Sequence, residues 1–275
     1  MGKLIDGDDG LPAEEVGFWA KEKHEYLCRY VDISRAVRSR WISAGKAGAT
    51  YIDLFCGPGR CKVRETGEWI DGGVVAAWKK SVEGGAPFTQ VFVGDLDDER
   101  RRAAVTRLSK LNAPVYEFAG TAAQTVRQIV TNLNQYGLHF AFLDPFNLET
   151  LDFEIIRVLS GLMRIDILVH VDQMDLQRNL RANAVAEQSA FDTFAPGWRD
   201  KVDIVRGQRE VRQQVFQYWR DLVASGGVWT STEMKLIRGS KNQPLYWLLL
   251  AAKHDLAHKF WATASNVEGQ GKLDF

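Results

Sequence analysis

The chain has 275 residues, 45% of them hydrophobic and 25% charged, enough apolar surface for one large core. Thirty-five Lys and Arg balance thirty-five Asp and Glu, which excludes a global charge attraction to nucleic acid or to a membrane surface; any such affinity has to be local. No uncharged run reaches the length of a membrane span and the first twenty residues hold no signal-peptide apolar core, so the cytoplasm is the expected compartment, with no membrane partner. Cys28, Cys56 and Cys61 are odd in number and form no CxxC pair. They are expected as packing residues, not as a disulfide framework or a zinc site.

In chain order, residues 1 to about 14 carry Gly7, Gly10, Asp6, Asp8 and Asp9, a composition that predicts a mobile tail followed by a single domain over 15–275. From Phe18, the bulky residues Trp19, Tyr26, Leu27, Tyr30, Val31, Val37 and Trp41 recur at steps of three and four and predict one long helix. A strand over 50–55 follows, and then helices over 73–81, 97–111, 121–136 and 151–162 alternate with strands over 90–95, 115–118, 138–143 and 166–171. Short, nearly continuous apolar strands alternating with helices call for a parallel sheet covered on both faces, a doubly wound α/β domain. Residues 173 to about 224 are polar and rich in Gln and Arg, consistent with an inserted helical segment. Two strands over 233–238 and 246–252, joined by a hairpin-length link, and a helix over 255–264 complete the pattern.

Strand 50–55 breaks into Gly57-Pro58-Gly59, the place where an open parallel sheet carries its ligand turn. Asp95 ends the second strand, QVFVGD, where an acid holds a ribose, although the gap from Gly57 exceeds the usual twenty or so residues, which implies an insertion containing 69–80. The fourth strand, LHFAFL, runs into Asp144-Pro145-Phe146-Asn147. A carboxylate and a rigid turn thereby fall at the same sheet edge as Gly57 and Asp95. The missing third glycine and the terminal hairpin speak against a nicotinamide-dependent dehydrogenase.

Together Asp53-Leu-Phe-Cys-Gly-Pro-Gly59, Asp95-Leu-Asp97 and Asp144-Pro-Phe-Asn147 resemble the motifs of class I S-adenosyl-L-methionine (SAM)-dependent methyltransferases. More narrowly, YIDLFCGPGR, FLDPFNLE and PLYWLLLAAKH resemble the three-Cys-motif partner family, TcmP, over about residues 18–261. The resemblance implies a Rossmann-like fold whose seven-stranded sheet closes with an antiparallel hairpin. It implies that Asp53 meets the cofactor's amine, that Phe55, Gly57 and Gly59 pass beneath the cofactor, that Asp95 accepts its ribose hydroxyls, and that Leu96 packs on adenine. The adenine amine would fall to Thr121, or to Gln124 a turn later. Asp144, Pro145, Phe146 and Asn147 resemble the Asp-Pro-Pro-aromatic motif of enzymes that methylate exocyclic amines, which implies a nucleic-acid base as acceptor; the rival reading is that Asp144 and Asn147 only shape the strand-to-helix turn. The rival implication is a SAM-binding accessory subunit of a radical-SAM-like three-Cys-motif protein.

Around these motifs, Asp97 is expected to cap the helix that follows it. His170 is expected as a satisfied core residue, with a role as base the alternative, and His24 beside Lys23 as part of a solvated helix face, with a place over the cofactor mouth the alternative. Arg100, Arg101, Arg102, Arg107 and Lys110 are likewise expected on a solvated face. Between 178 and 212, the basic residues Arg178, Arg181, Arg199, Lys201, Arg206, Arg209 and Arg212 outnumber Glu187, Asp192, Asp200, Asp203 and Glu210, with Phe191 and Trp198 among them. That composition suits gripping phosphates and stacking a base, or equally a protein interface.

Overall fold

Period-two and near-continuous apolar runs pair into one sheet in the computed structural model, which describes residues 2–178, 186 and 189–266. The elements are β1 (Leu4–Asp6), β2 (Pro12–Val16), α1 (Trp19–Ile33), α2 (Arg35–Ile42), β3 (Ala49–Asp53), β4 (Arg60–Val63), β5 (Trp69–Asp71), α3 (Gly73–Glu83), β6 (Gln90–Asp95), α4 (Asp98–Lys110) and β7 (Val115–Ala119). They continue with α5 (Ala122–Asn132), β8 (Leu138–Leu143), α6 (Phe153–Ser160), β9 (Ile165–Asp172), α7 (Gln173–Arg178), α8 (Ala190–Phe194), α9 (Gln208–Ser225), β10 (Trp229–Arg238), β11 (Pro244–Ala252) and α10 (Asp255–Ser265).

The main sheet has seven strands in the order β10-β11-β9-β8-β3-β6-β7. Strands β7, β6, β3, β8 and β9 run parallel, and β11 inserts antiparallel between β9 and β10. This is the Rossmann-like methyltransferase topology expected from the sequence. Side chains alternate between two cores: on β3, Tyr51 faces the side covered by α1, α3, α4 and α10, while Ile52 faces the side covered by α5, α6 and α9. The reversal after β3 puts β6 on one side of it and β8 on the other, so the carboxyl ends of β3, β6 and β8 open at one edge.

Three sequence expectations are corrected. The anticipated tail is a β-hairpin: Leu4 faces Glu14 across β1 and β2, and β2 pairs in parallel with β4 in a second sheet of order β1-β2-β4-β5. Its acids, which in isolation favour disorder, meet cations: Arg60 takes Asp8, Arg107 takes Asp9, and Arg100 takes Glu14. Those arginines also revise the surface expected for α4, since Arg100, Arg101 and Arg107 are buried. The third correction is the first helix, which breaks at Ser34 into α1 and α2.

Candidate functional site

The turn after β3 owes its shape to two glycines in the left-handed region, Gly57 at φ 56° and Gly59 at φ 79°. At Gly59 a Cβ would sit 3.0 Å from Val75 Cγ2 and 3.3 Å from the Ala104 Cα, so no larger residue fits between α3 and α4. The turn is tied to β6 by Asp95, whose Oδ2 accepts from Gly57 N at 2.9 Å and whose Oδ1 accepts from Asp97 N at 2.9 Å. Burial raises the Asp95 carboxyl above its ordinary value, and these two amides and Arg100 oppose that shift. Asp97 caps α4 as expected, accepting from Glu99 N and Arg100 N.

Asp53, at the end of β3, is buried and receives neutral donors, Phe55 N at 3.1 Å and the Tyr51 hydroxyl at 3.3 Å. Burial pushes its carboxyl up to about 8, with nearby Asp144 adding to the shift against the Phe55 amide. The native state therefore holds a proton that the unfolded chain releases near pH 4, and the stability this gives fades as pH rises through about 8. Asp53→Asn is accordingly expected to match the wild type in stability below pH ~4 and to exceed it increasingly toward pH ~9, as chemical denaturation across that range would show.

Asp144, at the end of β8, is held from two sides. Lys23 of α1 donates to its Oδ2, and His170 Nδ1 of β9 lies 2.7 Å from its Oδ1. Burial alone would raise this carboxyl, but the Lys23 charge and the His170 hydrogen bond hold it well below the usual carboxylate range. His170 packs against the Tyr246 ring with centroids 3.7 Å apart, and Lys23 Nζ lies 5.6 Å from the same ring centre. The Tyr246 hydroxyl and His170 Nε2 have no hydrogen-bond partner among the described residues.

These groups line one cavity of about 760 Å³. It brings together Asp53, Phe55, Gly57, Gly59, Asp95, Leu96, Thr121, Asp144, Pro145 and Phe146 of the sequence-predicted site. Leu96 and Phe146 present 64% and 61% of their surfaces to it and to solvent, ready to cover flat ligand faces. Asn147 is not brought into the cavity: its Oδ1 accepts from Thr150 N at 2.9 Å and closes a local turn. Thr121 lines the wall, but its hydroxyl oxygen accepts from Gln124 N in the capping box of α5, and the Gln124 side chain accepts from Thr121 N. Both candidates for an adenine contact are thus engaged in starting a helix.

Wall residues that escaped the sequence reading include Glu14 of β2, Lys23 of α1 and Tyr246 of β11. The signal for Lys23 was present, because it falls three residues after Ala20 and four before Leu27 on the buried stripe of α1. His24, beside it, lines the same cavity and is no solvated residue; burial first, then the Lys23 charge, lowers its imidazole to about 4. In the basic segment, Phe191 and Trp198 are fully buried against the core, so neither is available to stack a base. Arg181 and Glu187 lie outside the described residues.

No protein-family profile matches the chain, and no curated protein matches it. Among solved structures, protein LPL1258 from Legionella pneumophila str. Philadelphia 1 is similar at 11% identity, with 91% of this chain and 93% of that one covered and a TM-score of 0.51. An O-methyltransferase from Bacillus cereus, in complex with SAH, aligns at 13% identity over 84% of this chain and 81% of that one, with a TM-score of 0.46. The O-methyltransferase TomG from Streptomyces achromogenes, in complex with SAM, aligns at 12% identity over 85% and 80%, also at 0.46. At these identities the likeness to LPL1258 is one of fold, and it extends over nearly the whole of both chains.

Proposed function

We propose that this chain is a SAM-dependent methyltransferase whose acceptor is an amine nitrogen of a nucleic-acid base. The observation that carries the reading is the convergence of Asp53, Asp95 and Asp144, from three strand ends, on one cavity floored by the Gly57–Gly59 turn. The residues present fit the cofactor. Asp53 is a buried carboxyl with neutral donors only, and an ammonium drawn to it would displace the proton that burial holds there and leave an ion pair. Asp95 would accept two ribose hydroxyls alongside the backbone amides it already receives, and Leu96 would cover a flat base. When bound, SAM supplies an electrophilic methyl group on a sulfonium.

The chain's own work is to orient the acceptor. The Asp144 carboxylate and the backbone at Pro145 would accept hydrogen bonds from the amine, leaving its lone pair exposed, while the Phe146 ring stacks on the base. Asn147 fixes the turn that carries Phe146. A second reading is favoured by one observation, that both Asp144 oxygens already have partners. A chain that never receives an amine there would keep that pairing permanently, as a SAM-binding accessory subunit of a radical-SAM-like three-Cys-motif protein.

Calorimetric titration of the purified chain with SAM, repeated on Asp95→Ala, tests the cofactor site. Loss of two hydrogen bonds to a charged acceptor should weaken binding by about 3 kcal/mol, on the order of 100-fold. Equal affinity in the two proteins would remove Asp95 from the site. Methyl transfer to a single-stranded oligonucleotide, lost in Asp144→Ala, separates enzyme from accessory subunit; bound SAM with no methylated product on the oligonucleotide or on the co-expressed three-Cys-motif protein favours the accessory role.

A further inference from the structure

Two carboxylates at the ends of neighbouring parallel strands are held in opposite states. Asp53, closing β3, has neutral hydrogen-bond donors and is pushed up by burial to about 8. Asp144, one strand over at the end of β8, is also penalised by burial, yet it is held below the usual carboxylate range. The sites differ in the ammonium of Lys23, whose charge is the largest influence opposing burial at Asp144, and in the hydrogen bond from His170.

That ammonium is fixed in place. Lys23 lies on the row of α1 that contains buried Ala20 and Leu27, and its side chain is only 12% exposed. The Tyr246 ring packs under both arms of the arrangement, against His170 at 3.7 Å between centroids and 5.6 Å from Lys23 Nζ. A lysine free to leave its partner would not be clamped between a carboxylate and an aromatic face.

We propose that Lys23 is a positioning residue of the transfer site: its ammonium, reaching in from α1, fixes the Asp144 carboxylate as the anionic hydrogen-bond acceptor for the incoming amine, while His170 braces the other oxygen. This rests on reading Asp144 as the group that receives the amine. The groups facing Asp144 are Lys23 and His24 from α1, Tyr51 and Asp53 from β3, His170 from β9 and Tyr246 from β11. Burial and the Lys23 charge keep His24 neutral, and burial raises both tyrosines, so Lys23 exerts the dominant favourable pull on the carboxylate. Without it, Asp144 would meet the same burial as Asp53 and take up a proton, and a protonated carboxyl offers the amine a donor where an acceptor is needed.

The test needs no acceptor. Aspartate carboxyl carbons are followed by ¹³C NMR in the full chain from about pH 5 to about pH 9, with Asp144 assigned through Asp144→Asn. In the wild type, Asp144 is expected to show no titration in that window. In Lys23→Met its midpoint should enter the window, a rise on the order of two pH units or more, and Lys23→Arg should return it to the wild-type trace. An Asp144 that titrates within the window in the wild type, or stays ionised throughout in Lys23→Met, overturns the proposal. Where Lys23→Met does not fold, Lys23→Gln is expected to bring the midpoint into the same window, and an Asp144 that stays ionised throughout in that variant overturns the proposal equally. Failure of the wild type to bind SAM would sink the cofactor reading but leave these titration results standing; normal SAM binding with an unmoved midpoint in Lys23→Met would sink the role of Lys23 alone.

Discussion

Replacing Asp144 with Ala is expected to lower stability by about 3 kcal/mol at neutral pH and to abolish methyl transfer, although the substitution removes only a carboxyl group. The cost arises from what stays behind. Lys23 and His170 both direct a nitrogen at that carboxylate, and only 12% of the Lys23 side chain is exposed. Breaking a buried pair from one end leaves an uncompensated charge, which costs more than the pair contributes when whole. Denaturant unfolding at pH 7 measures the loss. The double variant Lys23→Met, Asp144→Ala should recover much of the stability while transfer stays absent, because an apolar pair leaves no stranded ammonium. A single variant as stable as the wild type would show that Lys23 reaches solvent freely and that the pairing has little energetic weight.

A second large effect is expected at Arg107, well away from the carboxylates. Its guanidinium donates to both Asp9 oxygens, at 2.8 and 2.6 Å, to the carbonyls of Pro12 at 2.7 Å and Leu11 at 3.1 Å, and to the Pro58 carbonyl at 2.6 Å. One side chain therefore ties the β1–β2 hairpin to the middle of the Gly57–Gly59 turn. Arg107→Met keeps the bulk of the stem but strands those acceptors, for a loss of about 2–4 kcal/mol. Limited proteolysis should then cut within residues 1–16 well before the remainder of the chain is attacked, and SAM affinity should fall because Glu14 and its neighbours leave the cavity wall. Protection of the N-terminal residues equal to that of the wild type would contradict this account.

The main sheet was legible because its signals are local. QVFVGD and LHFAFL carry their own boundaries, and the elements observed over those stretches, Gln90–Asp95 and Leu138–Leu143, coincide with the expected ones. The terminal hairpin was legible in the same way, through two apolar runs around a Gly- and Pro-containing link. The N-terminal hairpin was not, because nothing in LIDGDDGLPAEEV distinguishes a solvated acidic tail from one whose acids face Arg60, Arg100 and Arg107, residues brought near only by the tertiary fold. The same limit applies to Asn147, whose sequence position suggests a contact with the acceptor but whose side chain closes a turn with Thr150. For the site, strand-end placement revealed Asp53, Asp95 and Asp144. Of the partners that set the state of Asp144, His170 stood near a strand end in the sequence, whereas Lys23 comes from an element remote from it, and only α1's periodicity hinted at its inward face.

The parallel pairing of β2 with β4 has a bearing on how the molecule is made. Glu14 meets Cys61 across that pair, with all of α1, α2 and β3 lying between them in the chain. Strands β1 and β2 thus leave the ribosome with no sheet edge to join until the glycine turn and the strand beyond it have emerged. The hairpin that walls the cavity is therefore translated before its partner and docked after it, and the pocket takes its final shape only once β4 has reached β2.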